Sequence, residues 1–76
     1  MMEMITVKSS NLKAVGYDEM GGNLHVEFQT GTFYVYRQVP KELYTRLLKA
    51  PSIGSFFMKN VMGAFKCQKM SPDGKS

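Results

Sequence analysis

The sequence predicts an α+β fold: a three- to four-stranded antiparallel β-meander followed by two short α-helices packed on one face. Three observations predict it. Leu24-His25-Val26-Glu27-Phe28 alternates strictly between apolar and polar residues, the period of a half-buried strand. Glycine-bearing turn signals, Gly21-Gly22-Asn23 and Thr30-Gly31, stand on either side of it, too close together for anything but hairpins. From residue 40 onward the period changes to that of helices, punctuated by Pro40 and Pro51.

The elements follow in order. Met4-Ile5-Thr6-Val7 is short and apolar enough to add an edge strand. Lys13 to Asp18 forms the first strand of the meander, with Val15 and Tyr17 on one face, and Glu19 to Gly22 makes a four-residue turn. That turn pairs Tyr17 with Leu24 and Val15 with Val26. Phe33 to Val39, rich in β-formers, is the third strand, and it is apolar on both parities. Its register therefore decides its inward face. A two-residue loop at Thr30-Gly31 sets Phe28 opposite Phe33 and Val26 opposite Val35, so that Phe33 and Val35 join the core and Tyr34 and Tyr36 stand on the other face. A three-residue loop with a bulge at Gly31 shifts the register by one and buries the tyrosines instead. The two-residue loop, with an even count in both hairpins, is the expectation.

Pro40 suits a helix start, where its missing N–H costs nothing. Leu43, Tyr44, Leu47 and Leu48 form the apolar stripe of that helix, which Pro51 ends. Ser52 or Ser55 caps a second helix expected to run to about Lys66, with Ile53, Phe57, Val61 and Ala64 or Phe65 inward. One domain over residues 4–66 results. Residues 67–76 lack periodicity and are expected to be a flexible tail.

Composition narrows the function classes. The chain has 76 residues, 43% of them hydrophobic, which suits one small globular domain without room for a deep substrate pocket. A single cysteine, Cys67, excludes an internal disulfide, and with a single histidine, His25, it leaves too few ligands for a zinc site. No metal, cofactor or small-molecule substrate is expected. Paired buried carboxylates and a Ser/His/Asp set are missing, and His25 beside Glu27 has no nucleophile or second base, so no catalytic residue is assigned. The Met1-Met2-Glu3-Met4 start carries no cationic leader or long apolar run, and a cytoplasmic protein without a membrane anchor is expected.

Charge is uneven along the chain. Residues 1–39 hold three cations against four anions, net −1, whereas residues 40–76 hold seven against two, net +5. A basic helical half suits a polyanion or an acidic protein, and it equally suits a solubilising helix surface.

The order of Ser9-Ser10-Asn11-Leu12, Val15-Gly16-Tyr17-Asp18, Leu24 to Phe28, Tyr34-Val35-Tyr36, Val39-Pro40, Ala50-Pro51-Ser52-Ile53-Gly54, Phe57 and Asn60-Val61 resembles the KTSC domain. The resemblance covers residues 5–66 without a gap. It implies a stand-alone copy of a domain found in bacterial and phage genomes and at the C-terminus of some lysyl-tRNA synthetases. The synthetase context implies RNA binding by association rather than by mechanism. Members of that family tend to carry Tyr where this chain has Phe56 and Phe65, and polar or basic residues where it has Met58, Met62 and Ala64.

Two surfaces are candidates for binding. Tyr34 and Tyr36 on an open sheet face would stack bases, with Arg37, Lys41, Arg46, Lys49, Lys59 and Lys66 meeting phosphates, as in an RNA-binding accessory domain. Alternatively both rings bury against a helix as ordinary packing. Met58 and Met62, one turn apart beside Phe56, would form a deformable apolar patch for a protein partner or a second copy, the chain then acting as a small protein-binding adaptor, a phage-type inhibitor or a host modulator. As core filler they need no partner. Asn60 is expected to tie its helix to the Ser9-Ser10-Asn11 segment, and Ser52 to Ser55 to serve as a cap rather than an anion site. Buried tyrosines with exposed methionines favour the protein-binding reading, and the reverse favours RNA.

Overall fold

In a computed structural model of the chain, residues 3–70 are described. They form strands β1 (Met4–Thr6), β2 (Leu12–Asp18), β3 (Asn23–Phe28) and β4 (Phe33–Tyr36), helices α1 (Lys41–Lys49) and α2 (Ile53–Asn60), and a last strand β5 (Cys67–Met70). The sheet is antiparallel throughout, in the order β1-β2-β3-β4-β5.

The α+β architecture and the meander are as the pattern predicts, with one addition. Among the described residues the sheet has five strands because residues 67–70, expected to begin the tail, return along the edge of β4. Periodicity is silent on β5 because all four of its residues are exposed, so main-chain pairing rather than apolar burial holds it. Residues 71–76 of the expected tail lie outside the described residues.

The first hairpin has the predicted register, with Tyr17 opposite Leu24 and Val15 opposite Val26. Gly22 closes its turn at φ +68°, its N–H bonded to the Asp18 carbonyl at 2.7 Å. A bulge between Leu12 and Ala14 then turns Leu12 fully into the core.

The second hairpin departs from the expected two-residue loop. Val26 faces Tyr34 and Leu24 faces Tyr36, while Glu27 faces Phe33 and His25 faces Val35. The cause is local. The Phe28 N–H bonds the Thr32 carbonyl and the Gly31 N–H bonds the Phe28 carbonyl, both at 2.9 Å, with Gly31 at φ +91°. This is a three-residue loop closed by a left-handed glycine, and its odd count moves every β4 side chain to the opposite face.

Both helices cover the face that carries Val15, Leu24, Val26 and Tyr36, and Leu12, Val39, Leu47, Phe57 and Val61 complete the core. Phe57 anchors α2 by meeting Phe28 and Tyr36 edge to face, at 5.8 and 5.4 Å between ring centres. Tyr17 stacks on Tyr44 of α1 at 5.3 Å and donates its hydroxyl to the Val39 carbonyl at 2.5 Å. Ser52 supplies the cap of α2, its Oγ accepting the Ser55 N–H at 3.4 Å. That helix stops at Asn60 rather than near Lys66. The chain leaves it through Gly63 at φ +82°, and of the two residues expected to end the inward stripe Ala64 is exposed whereas Phe65 is half-buried against the core.

Candidate binding groove between α2 and the β4–β5 edge

α2 and the β4–β5 edge of the sheet border an open groove of about 600 Å³. Its floor carries Tyr34 and Tyr36 from β4 and, beside them, Lys69 and Cys67 from β5. Phe57, Met58 and Met62 form the wall. Asn11, Gln29 and Thr32 close one end with polar groups.

The sheet brings the two tyrosines together, but not as an open platform. Tyr36 is 3% exposed and Tyr34 is half-buried. Their rings stack on each other at 6.4 Å, and Tyr34 also meets Phe28 edge to face at 5.4 Å. Burial pushes the Tyr36 phenol up to about 12, and the neighbouring Cys67 adds to the shift. The three-residue loop that sets the register puts both rings beneath the helix layer, which corrects their expected placement on the open face.

The expected phosphate contacts are not gathered at this groove. Arg37 donates from Nη2 to Gln68 Oε1 at 2.9 Å, and both alternate away from the tyrosines onto the open face. Lys41 pairs with Glu19 at 2.8 Å. Arg46 and Lys49 are exposed on α1, Lys59 on α2, and Lys66 just before β5. The charged residue that does line the groove is Lys69.

Met58 and Met62 are 54% and 45% exposed, so the pair is surface rather than core. The Asn11 amide lies 4.0 Å from the Met58 sulfur. Phe56, expected to join them, is half-buried and packed against the core outside the groove. Asn60 does not reach the Ser9-Ser10-Asn11 segment. Its amide donates to the Phe56 carbonyl of its own helix at 3.1 Å. The segment instead meets α2 at Gly54, where an added Cβ would lie 2.9 Å from Ser9 Oγ. That hydroxyl also accepts the N–H groups of Asn11 and Leu12, each at 3.2 Å.

Sequence reasoning missed Lys69, Gln29 and the position of Cys67. The Gln29 amide donates to the carbonyls of Ser9 and Leu12 at 3.2 and 3.1 Å, which fixes the end of the groove. No residue pattern signals Cys67 or Lys69, because their place depends on a strand without apolar alternation. Among the described residues, no group of three or more His, Cys, Asp or Glu side chains could hold a metal ion, and no helix is long and apolar enough to cross a membrane.

On the open face of the sheet, His25 is half-buried beside Asp18 and Arg37. Burial holds its imidazole below the usual value, opposed by Asp18 and reinforced by Arg37.

The KTSC domain pattern matches residues 8–65. A crystal structure of a KTSC domain protein from Yersinia pestis superposes with a TM-score of 0.88 at 32% identity, covering 93% of this chain and 100% of that one. An uncharacterized protein of Stutzerimonas stutzeri is 41% identical over 56 residues, 74% of this chain and 79% of that protein. A lysine–tRNA ligase of Nostoc is 34% identical over 68 residues; these are 90% of this chain but 12% of the ligase.

Proposed function

The chain belongs to the KTSC domain family, and from that premise we propose that it is a non-enzymatic protein-recognition module whose binding site is the groove between α2 and the β4–β5 edge. The observation that carries this reading is the exposure of Met58 and Met62, at 54% and 45%, on a concave surface floored by aromatic rings. Unbranched thioether side chains adapt to varied apolar partners at little conformational cost, and exposed apolar surface of this kind marks interaction sites. The two tyrosines act as a packed floor, Tyr34 meeting Phe28 and Tyr36, and Tyr36 meeting Phe57.

A second reading, RNA binding, has one observation in its favour: the chain is similar to a segment of lysine–tRNA ligases, beside a C-terminal half of net charge +5. The buried Tyr36 removes its stacking platform.

One experiment separates the two. The immobilised chain, with and without nuclease treatment of the extract, is compared with a Met58→Lys/Met62→Lys variant for retained partners. Loss of a nuclease-resistant protein partner in the variant is the expected result. An unchanged partner set, or retention that nuclease abolishes, refutes the protein-recognition reading.

A further inference from the structure

The groove has a backbone component as well as its side chains. The Arg37 N–H bonds the Lys66 carbonyl at 2.8 Å, which makes that facing pair a hydrogen-bonded one. In an antiparallel ladder such pairs alternate, so Val35–Gln68 and Phe33–Met70 are also hydrogen-bonded pairs. The N–H and C=O groups of Cys67 and Lys69 therefore point the other way, out from the sheet edge. Among the described residues no strand pairs with β5 on that side. The same two residues place their side chains on the groove floor beside Tyr36 and Tyr34.

We infer that the groove takes an extended segment of a partner protein that adds to the edge of β5 as a sixth strand, with apolar residues at alternate positions beneath Met58 and Met62 and an acidic residue beside Lys69. This rests on the protein-recognition reading above and names the partner's form and chemistry. An added strand would use the outward donors and acceptors of Cys67 and Lys69. Its residues facing those two share their face of the sheet, which is the groove side. Every second side chain would then enter the groove, and the others would lie beside Gln68 and Met70 on the open face.

Charge selects the partner. Lys69 is the charged residue of the groove lining, and Lys66 stands at the start of β5, with no acidic residue between Lys66 and Met70. A second copy pairing antiparallel through the same edge, with Cys67 facing Lys69 on either side, would set the two Lys69 side chains diagonally across the seam on one face, a like-charge approach of the kind sheet edges use to discourage pairing. An acidic strand meets no such opposition.

The test selects a phage-displayed random dodecapeptide library on the full 76-residue chain and titrates the recovered peptides by fluorescence anisotropy. Recovered sequences are expected to alternate apolar residues and to carry acidic ones. Their affinity should fall at least tenfold in a Lys69→Glu variant. Lys69→Pro removes an outward N–H while leaving the ladder to β4 its donors, and should weaken binding by a similar factor. Amide hydrogen exchange on the wild-type chain gives the same answer without a variant. Added peptide should slow exchange at Cys67 and Lys69 and leave the already bonded Gln68 unchanged. Peptides that bind through Met58 and Met62 without slowing those two amides overturn strand addition and leave the groove reading standing. Recovery of no peptide whose binding depends on Met58 and Met62 overturns both. Slowed exchange that rises with protein concentration alone assigns the edge to a second copy and overturns the acidic partner.

Discussion

Val26 on β3 faces Tyr34 on β4, and that one pairing decides which aromatic side chains support the groove and which stand on the open face. Had Val26 faced Val35, Tyr34 and Tyr36 would have pointed away from Phe57 and Met58. The pairing depends on a loop of three residues whose last member, Gly31, sits at φ +91°.

Replacing Gly31 by alanine tests this dependence. An added Cβ has open space around it, so the cost is conformational and should be about 1–2 kcal/mol of unfolding free energy, read as a lower urea midpoint. An unchanged midpoint would show that the loop does not hold the register.

Tyr17 links β2 to the start of α1 through its hydroxyl on the Val39 carbonyl, next to a Val39 side chain that is 1% exposed. Tyr17→Phe leaves this carbonyl without its partner while the stack on Tyr44 persists. A loss of about 1–3 kcal/mol in chemical denaturation is expected, with the near-ultraviolet signal of the folded state retained.

Gly54 and Ser9 form the closest approach between α2 and the loop before β2. Gly54→Ala should destabilise the fold despite alanine's higher helix propensity, because its Cβ forces Ser9 Oγ off the two N–H groups it accepts. In a Ser9→Ala background the same replacement should cost less. A double-mutant cycle with a coupling of about 0.5 kcal/mol or more is the expected result, and strict additivity would count against the contact.

His25 carries the pH dependence. Its folded imidazole is held below the ordinary 6.5, first by burial, so the folded state binds its proton less readily than the unfolded chain. The stability this contributes is complete above 6.5 and is lost as pH falls below that value towards the folded one. Thermal midpoints measured from pH 8 down to pH 5 should drop across the lower part of that range, and His25→Gln should remove part of the drop. Titration of the His25 ring protons by NMR should give a midpoint below 6.5; one at or above it refutes the assignment.

Strong local signals made most of the fold legible. Alternation in Leu24 to Phe28, the glycine turns and the two prolines define β2, β3, α1 and the start of α2, and the first hairpin register follows from them. Residues 33–36 were legible as a strand but not in orientation. With apolar residues on both parities, either face can be buried, and a Thr30-Gly31 dipeptide is compatible with loops of two or three residues. The methionine pair was legible as a candidate surface, yet its place on a groove was not, because part of the floor beside it belongs to β5.

What the sequence determined by itself is therefore the set of elements with a periodic apolar face, their order, and the uneven charge between the two halves. The tertiary structure alone decided the β3–β4 register, the fifth strand and hence the groove. These depend on the left-handed Gly31 and on main-chain hydrogen bonds along an exposed edge. Backbone pairing needs no particular side chain, so it leaves no pattern in the residues that make it.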